Sequence, residues 1–221
     1  MIDNIISILI RFYPQFLQGL GTTLLLSALA VVLGTVLGSL LALGKMSRFA
    51  VLRIAVTTYI EIVRGTPLLL QLYIVFFLLP DLITWLDVTT FQSVLTALVL
   101  NSAAYVAEII RAGIQAVDKG QSEAARSLGL SQAQTMRRII MPQAIKTILP
   151  TLCNEFIMVI KETSLASVFF IGDLMTAVNV LRGALFLSIE PLVIAGVIYF
   201  LVTFSLSKLV FLYERRLAAS D

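Results

Sequence analysis

Residues 17–43 run without a single charged side chain, and that run limits the possible fold more than anything else in the chain. About twenty consecutive apolar residues, wound as a helix, are enough to cross the hydrocarbon core of a bilayer. Four further stretches qualify: residues 55–79, 91–114, 149–169 and 191–213. The second is interrupted by Arg64-Gly65-Thr66-Pro67, a sequence that breaks helices. Charged residues make up 13% of the 221 and hydrophobic ones 59%, with mean hydropathy +0.98. A soluble domain needs about a quarter of its residues charged to wet its surface. The expectation is an all-α integral membrane bundle of about five spans, with residues 1–221 as one domain.

Charge sets the expected orientation. Lys45, Arg48 and Arg53 follow the first span. Arg111, Lys119, Arg126, Arg137, Arg138 and Lys146 lie between the third and fourth, and Lys208, Arg215 and Arg216 close the chain. With five spans, all three groups fall on one side, which the positive-inside rule makes cytoplasmic. The loop 80–90 carries Asp81 and Asp87 but no Lys or Arg. The N-terminus is therefore expected outside and the C-terminus inside. The net charge of +3 then follows from topology and does not call for nucleic acid.

Residues 1–12 lack the basic region and cleavage site of a signal peptide. They place Ile2, Ile5, Ile6, Leu9 and Phe12 on one face, as an interfacial helix ahead of the first span. Residues 170–188, with Asp173, Asn179 and Arg182, read as a surface or re-entrant connection. Ala30, Gly34, Gly38 and Ala42 recur every four residues along the first span, a stripe that lets another helix approach closely. With no histidine and one cysteine, most zinc sites, any internal disulfide and any His-dependent triad are excluded. Cys153, in an apolar run, is expected to be a small packing residue.

Residues 118–142 form the longest stretch outside the spans. Gln121 to Leu128 favours a helix, Gly129 stops it, and Ser131 can cap a second short helix ending before Pro142. With Leu128, Leu130, Met136, Ile139 and Ile140, the two make a knob suited to a partner's groove. The stretch also holds Glu123-Ala124-Ala125, three residues, Gly129, nine residues, Ile139, then Met141-Pro142. It resembles the E-A-A…G…I-x-L-P loop of ABC importer permease subunits, departing from it only in Met141 for Leu. Arg64-Gly65-Thr66-Pro67-Leu68-Leu69-Leu70-Gln71 resembles the R-G-T-P-x-L-x-Q segment of the polar amino acid group, which includes histidine, glutamine and arginine importers. Asn154-Glu155-Phe156-Ile157 and Lys161-Glu162-Thr163-Ser164-Leu165 resemble the same group's N-E-F-I and K-x-T-S-L. The likeness covers nearly the whole chain, most weakly before residue 17 and over 170–190.

This resemblance implies a cell inner membrane permease that pairs with an identical or homologous permease. Separate ATPase subunits, which bind the ATP and magnesium, would drive it, and an extracytoplasmic amino-acid-binding protein would deliver the solute. No G-x-x-x-x-G-K-[ST] loop occurs in the chain, so no ATP site of that design is expected in it, nor any catalytic residue or cofactor. Contact with the ATPase would fall to Glu123, Ala124, Ala125, Leu128, Gly129 and Leu130.

Ionisable side chains within spans mark either function or pairing. On the fourth span Asn154 and Lys161 share one face, and Glu155 and Glu162 share the adjacent one. This polar strip is about 10 Å long, and a lipid-facing helix would not carry it. Glu108 and Arg111 read as a structural pair, and Glu61 and Arg64 are spaced to neutralise each other. The candidate solute-binding residues are Glu61, Gln71, Asn101, Glu155, Thr163 and Ser164, and the resemblance to the polar amino acid group implies that Asn101, Glu155, Thr163 and Ser164 lie near the solute. Three alternatives stay open at this point: a permease for methionine or a metal ion, an ion-coupled carrier, and a membrane-embedded enzyme. The second lacks the internal repeat such carriers usually show, and the third lacks evident nucleophiles and bases.

Overall fold

A computed structural model describes residues 2–85 and 87–218, with side chains to residue 215. Arg216, counted above among the cytoplasmic charges, has its side chain outside that range. Helices in chain order are α1 (Ile2–Lys45), α2 (Ala50–Gly65), α3 (Leu68–Leu82), α4 (Thr90–Gln115), α5 (Lys119–Ser127), α6 (Gln132–Thr135), α7 (Met141–Glu162), α8 (Leu174–Leu185) and α9 (Glu190–Ala218). Among the described residues, α1, α4 and α9 are each long and apolar enough to cross a bilayer. Two bent units, α2 with α3 and the α6-to-α8 stretch, bring the number to as many as five where each crosses as one span. The outer surface is apolar, with Leu25, Val32, Val36, Val197, Phe200 and Leu212 all exposed, as contact with lipid tails requires.

The centre of the fold is α1 lying parallel to α4, the most extensive helix pair. Ala30, Gly34, Gly38 and Ala42 are all buried, so the small-residue stripe packs as its spacing predicts. Gly34 lies against Ser102, and Gly38 against Ala103 and Val106. Leu26, Ala30, Leu72, Val94, Ala97, Leu98, Val159 and Ala166 form the main core, drawn from α1, α3, α4 and the α7 end. The start of α4 is fixed by a capping box, in which the Thr89 hydroxyl accepts from the Gln92 amide and the Gln92 side chain accepts from the Thr89 amide.

Four expectations change. The N-terminal residues do not form a separate interfacial helix: α1 is continuous from Ile2, and Ile8 and Phe16 pack with Leu174, Val178, Leu181 and Ile194 of α8 and α9. Met1 lies outside the described residues. The segment after residue 170 is likewise no surface connection, because α8 buries Leu174, Thr176, Val178 and Leu181, while its 45° bend from the preceding helix is that of a broken span or a re-entrant loop. The helix begun at Ser131 does not stop before Pro142. It passes through a π-helical turn, Met136–Ile140, straight into α7. Proline has no N–H to give to the carbonyl four residues back, and the wider turn just ahead of it takes up the register change. Cys153 is exposed on α7 rather than packed, beside an apolar groove lined by Val31, Val32 and Phe156.

The second span is a corner. α2 and α3 meet at 113°. Thr66 is extended (φ −121°, ψ 149°) ahead of Pro67, as the clash with a proline ring demands. α2 packs Val56 and Ile60 against Ala42, Ala104 and Ala107, whereas α3 packs against the opposite end of α4.

Candidate functional site

The corner exposes α2 carbonyls that a straight helix would have bonded, and such groups need partners inside a bilayer. Gln71, one turn into α3, supplies them. Its amide nitrogen donates to Val63 O at 2.7 Å, Thr66 O at 3.1 Å and Thr66 Oγ1 at 2.9 Å. Its amide oxygen accepts from Asn101 Nδ2 at 2.9 Å. Two candidate solute residues are therefore joined to each other, and Asn101, only 4% exposed, is turned to the corner. Within the protomer it takes Gln71 as its partner and not Glu155.

Glu155 projects from α7 towards α4, where the buried Ser102 hydroxyl donates to it at 3.3 Å. Seven residues on, Glu162 occupies the same face, partly buried. Asn154 and Lys161 are exposed on the neighbouring face. Among the described residues Lys161 makes no ion pair, and its Nζ sits 3.2 Å from Met158 Sδ. Where α7 tightens into a 3-10 turn (Thr163–Phe169), the buried Thr163 hydroxyl donates to Ile160 O at 2.7 Å and Ser164 to Lys161 O at 2.6 Å. Both hydroxyls thus satisfy their own helix end. Glu61 is exposed on α2.

The expected Glu61–Arg64 pair does not form. Arg64 turns instead to Glu108, with Nη1 at 3.8 Å, and stacks over the Tyr105 ring. Glu108 also holds Arg111, at 2.8 Å and 2.9 Å, and Lys45. The Glu108–Arg111 pair was legible as neighbours one turn apart. Lys45 and Arg64 were not, because they reach Glu108 from the ends of other helices. Ser102 was missed as well; its only signal was its place beside Asn101.

The 118–142 segment has the expected outline up to the cap at Ser131. Asp118 caps α5 by accepting from the Gly120 amide at 2.7 Å. At the other end Gly129 takes φ +85°, and the bonds Leu130 N to Ala125 O and Gly129 N to Arg126 O close a Schellman turn. Ser131 then starts the next helix with a capping box to Gln134. Glu123, Ala124, Leu128 and Gly129 are exposed, Leu130 is partly so, and Ala125 is buried. Leu128 is 82% exposed, an apolar side chain presented with no cover from its own chain.

Comparison with known proteins agrees on one family. Residues 30–219 match the model for the binding-protein-dependent transport system inner membrane component. The chain is 41% identical over 208 residues to the arginine transport system permease protein ArtQ of Bacillus subtilis (strain 168), covering 94% of each chain. It is 41% identical over 215 residues to a putative glutamine transport system permease protein GlnP of Rickettsia bellii (strain RML369-C), covering 96% of this chain and 98% of that one. Among solved structures it matches an amino acid ABC transporter crystallised with histidines, with TM-score 0.90, 46% identity, and coverage of 94% and 96%. The MetNI methionine transporter, at TM-score 0.75 and 16% identity, shares the fold.

Proposed function

Since this chain belongs to the binding-protein-dependent transport system inner membrane components, a multi-pass family of ABC importer permeases, we propose that it forms the translocation pathway for a polar or charged amino acid. Glu155 carries the reading. A carboxylate within a span, half-buried and bonded to Ser102, is costly unless it serves a partner or a solute, and the described residues offer it no cation. A free amino acid brings an ammonium group, which is costly to dehydrate unless the protein replaces its lost hydrogen bonds. Relatives named for arginine and glutamine transport support the class. Glu61, Gln71, Asn101, Thr163 and Ser164 remain candidates around this point, Gln71 and Asn101 through the corner they hold.

The working complex in this reading has two permeases, identical or homologous, two ATPase subunits that bind ATP and magnesium, and an extracytoplasmic binding protein. Residues 118–142 dock on the ATPase through Glu123, Ala124, Ala125, Leu128, Gly129 and Leu130. The exposed Leu128 supplies the apolar contact. The chain lies in the cell inner membrane with its N-terminus outside and its C-terminus in the cytoplasm. Glu155→Gln tests the pathway, because it keeps size and removes charge. A charge-assisted hydrogen bond contributes roughly 1.5–3 kcal/mol, so uptake at low solute should fall about tenfold or more, with protein level and ATPase assembly retained. Uptake within a factor of two of the parent would make Glu155 a structural residue.

A further inference from the structure

The cluster around Glu108 is unbalanced. Lys45, Arg64 and Arg111 surround one carboxylate, leaving two positive charges in excess. Arg111 is held by two contacts, and its terminal nitrogen also reaches Gln115. Arg64 is the loosest, with its side chain 44% exposed. It opens into a cavity of about 450 Å³ shared with Tyr105, Glu108, Ile109, Arg111, Thr147 and Thr151, where two guanidinium groups face the one carboxylate, and the volume suits a small molecule.

The position of that cavity favours one occupant. On α4, Ala103, Val106 and Ala107 face α1. At 100° per residue, Tyr105, Ile109 and Ala112 fall on the opposite face, away from the lipid-side groove between α1, α7 and α9. On α7, Thr147 and Thr151 stand two turns and one turn before Glu155, on the face that carries Glu155 and Glu162. The face of α7 that carries the two carboxylates therefore continues, through Thr151 and Thr147, into the lining of a cavity with a net positive charge. Resting on the amino-acid reading above, we infer that this cavity is a holding site for the carboxylate of the solute, with Arg64 as its main ligand. A solute bound at Glu155 by a cationic group meets, about a turn back towards the start of α7, charge of the sign its carboxylate needs. The two Thr hydroxyls can add hydrogen bonds there.

Binding of L-arginine, L-glutamine and their α-carboxamides to the permease–ATPase complex tests this, in neutral phosphatidylcholine nanodiscs without the binding protein. The parent should prefer acid over amide by about tenfold, a charge-assisted contact. Arg64→Gln should reduce that preference to within about twofold, and Arg64→Lys should keep several-fold. Glu155→Gln should weaken acid and amide alike and leave their ratio. An unchanged ratio in both Arg64 variants overturns the site, as does a parent that binds none of the four or shows no preference. So does a result in which Arg64→Gln loses phosphatidylglycerol that the parent retains when both are placed in nanodiscs containing that lipid, but keeps the carboxylate preference, since the occupant is then a lipid headgroup. Failure of the complete transporter to take up any of the twenty amino acids would instead overturn the transport reading, and the site with it.

Discussion

Replacing Gly38 by alanine adds one methyl group to the most crowded place between α1 and α4. An ideal Cβ there would lie 2.7 Å from Ala103 O and 2.7 Å from Val106 Cβ. Carbon contacts are most favourable at about 3.5–4.0 Å, so the seam must open by roughly 0.8 Å. The carbonyl belongs to the α4 backbone and cannot rotate aside. A gap of that size forfeits about a quarter to a half of the attraction at each contact along the stripe, and overpacking of this kind costs about 1–3 kcal/mol. Alanine is the better helix former by up to about 1 kcal/mol, which partly offsets the loss. Gly196→Ala on α9 isolates that offset, because nothing lies within 4 Å of its Cβ position. Gly34→Ala should fall between them, since its obstruction is the Ser102 side chain at 2.9 Å. Unfolding by sodium dodecyl sulfate in mixed micelles should place Gly38→Ala about 2 kcal/mol below Gly196→Ala. Equal midpoints for the two would refute the packing argument.

Three further outcomes are expected. A thiol-reactive probe confined to the outside of intact cells should label a cysteine at Asp87 but not one at Ser131, and outside labelling at 131 would reverse the orientation; Asp221, an alternative tag site, lies outside the described residues. At Gly129, whose φ of +85° is the constraint and whose surroundings are open, Asn should retain coupling of ATP hydrolysis to uptake better than Val, because Asn tolerates the left-handed region. Gly129→Asp can keep that backbone but adds a carboxylate to the face proposed to dock on the ATPase, so it should still insert yet uncouple transport, and normal uptake in it would reduce this segment to a connection.

What could be read from the sequence divides along the range of the interactions. Spans, the stripe from Ala30 to Ala42, the Gly129 stop and the Ser131 cap are local patterns, decided by periodicity or by the conformational range of one residue. The partners of Arg64 are not local. Three residues along a helix, Glu61 offered the obvious charge, yet Arg64 sits at the C-terminal end of α2, where the corner carries it to Glu108. The N-terminal residues misled for a related reason. Their apolar face suits a lipid interface and a helix groove equally, and only the presence of α8, itself hidden in a mixed sequence, decides for the groove. At Pro142 the rule for proline held at the level of hydrogen bonds and failed at the level of the helix, because a π-turn supplies a way through.

The segment Arg64-Gly65-Thr66-Pro67-Leu68-Leu69-Leu70-Gln71 is best understood as one mechanical device. Pro67 forces Thr66 out of the helical region and turns the chain by 113°, which leaves α2 with unbonded carbonyls at membrane depth. Glutamine four residues after the proline lies one helical turn along α3, the spacing that lets its amide reach back to Val63 O and Thr66 O. Arginine at the last turn of α2 places its charge at the negative end of that helix's dipole and in reach of Glu108. Gln71 spends its donors on the corner and its oxygen on Asn101. A solute that bonds Gln71 must therefore displace interactions that hold α2 to α3. Glu155 and Arg64 carry no such obligation: the first has one long hydroxyl contact and the second one loose ion pair and a ring contact. On the proposed pathway Arg64 is the corner residue free to follow the solute, because its cation can leave Glu108 for a carboxylate without unbonding any backbone group.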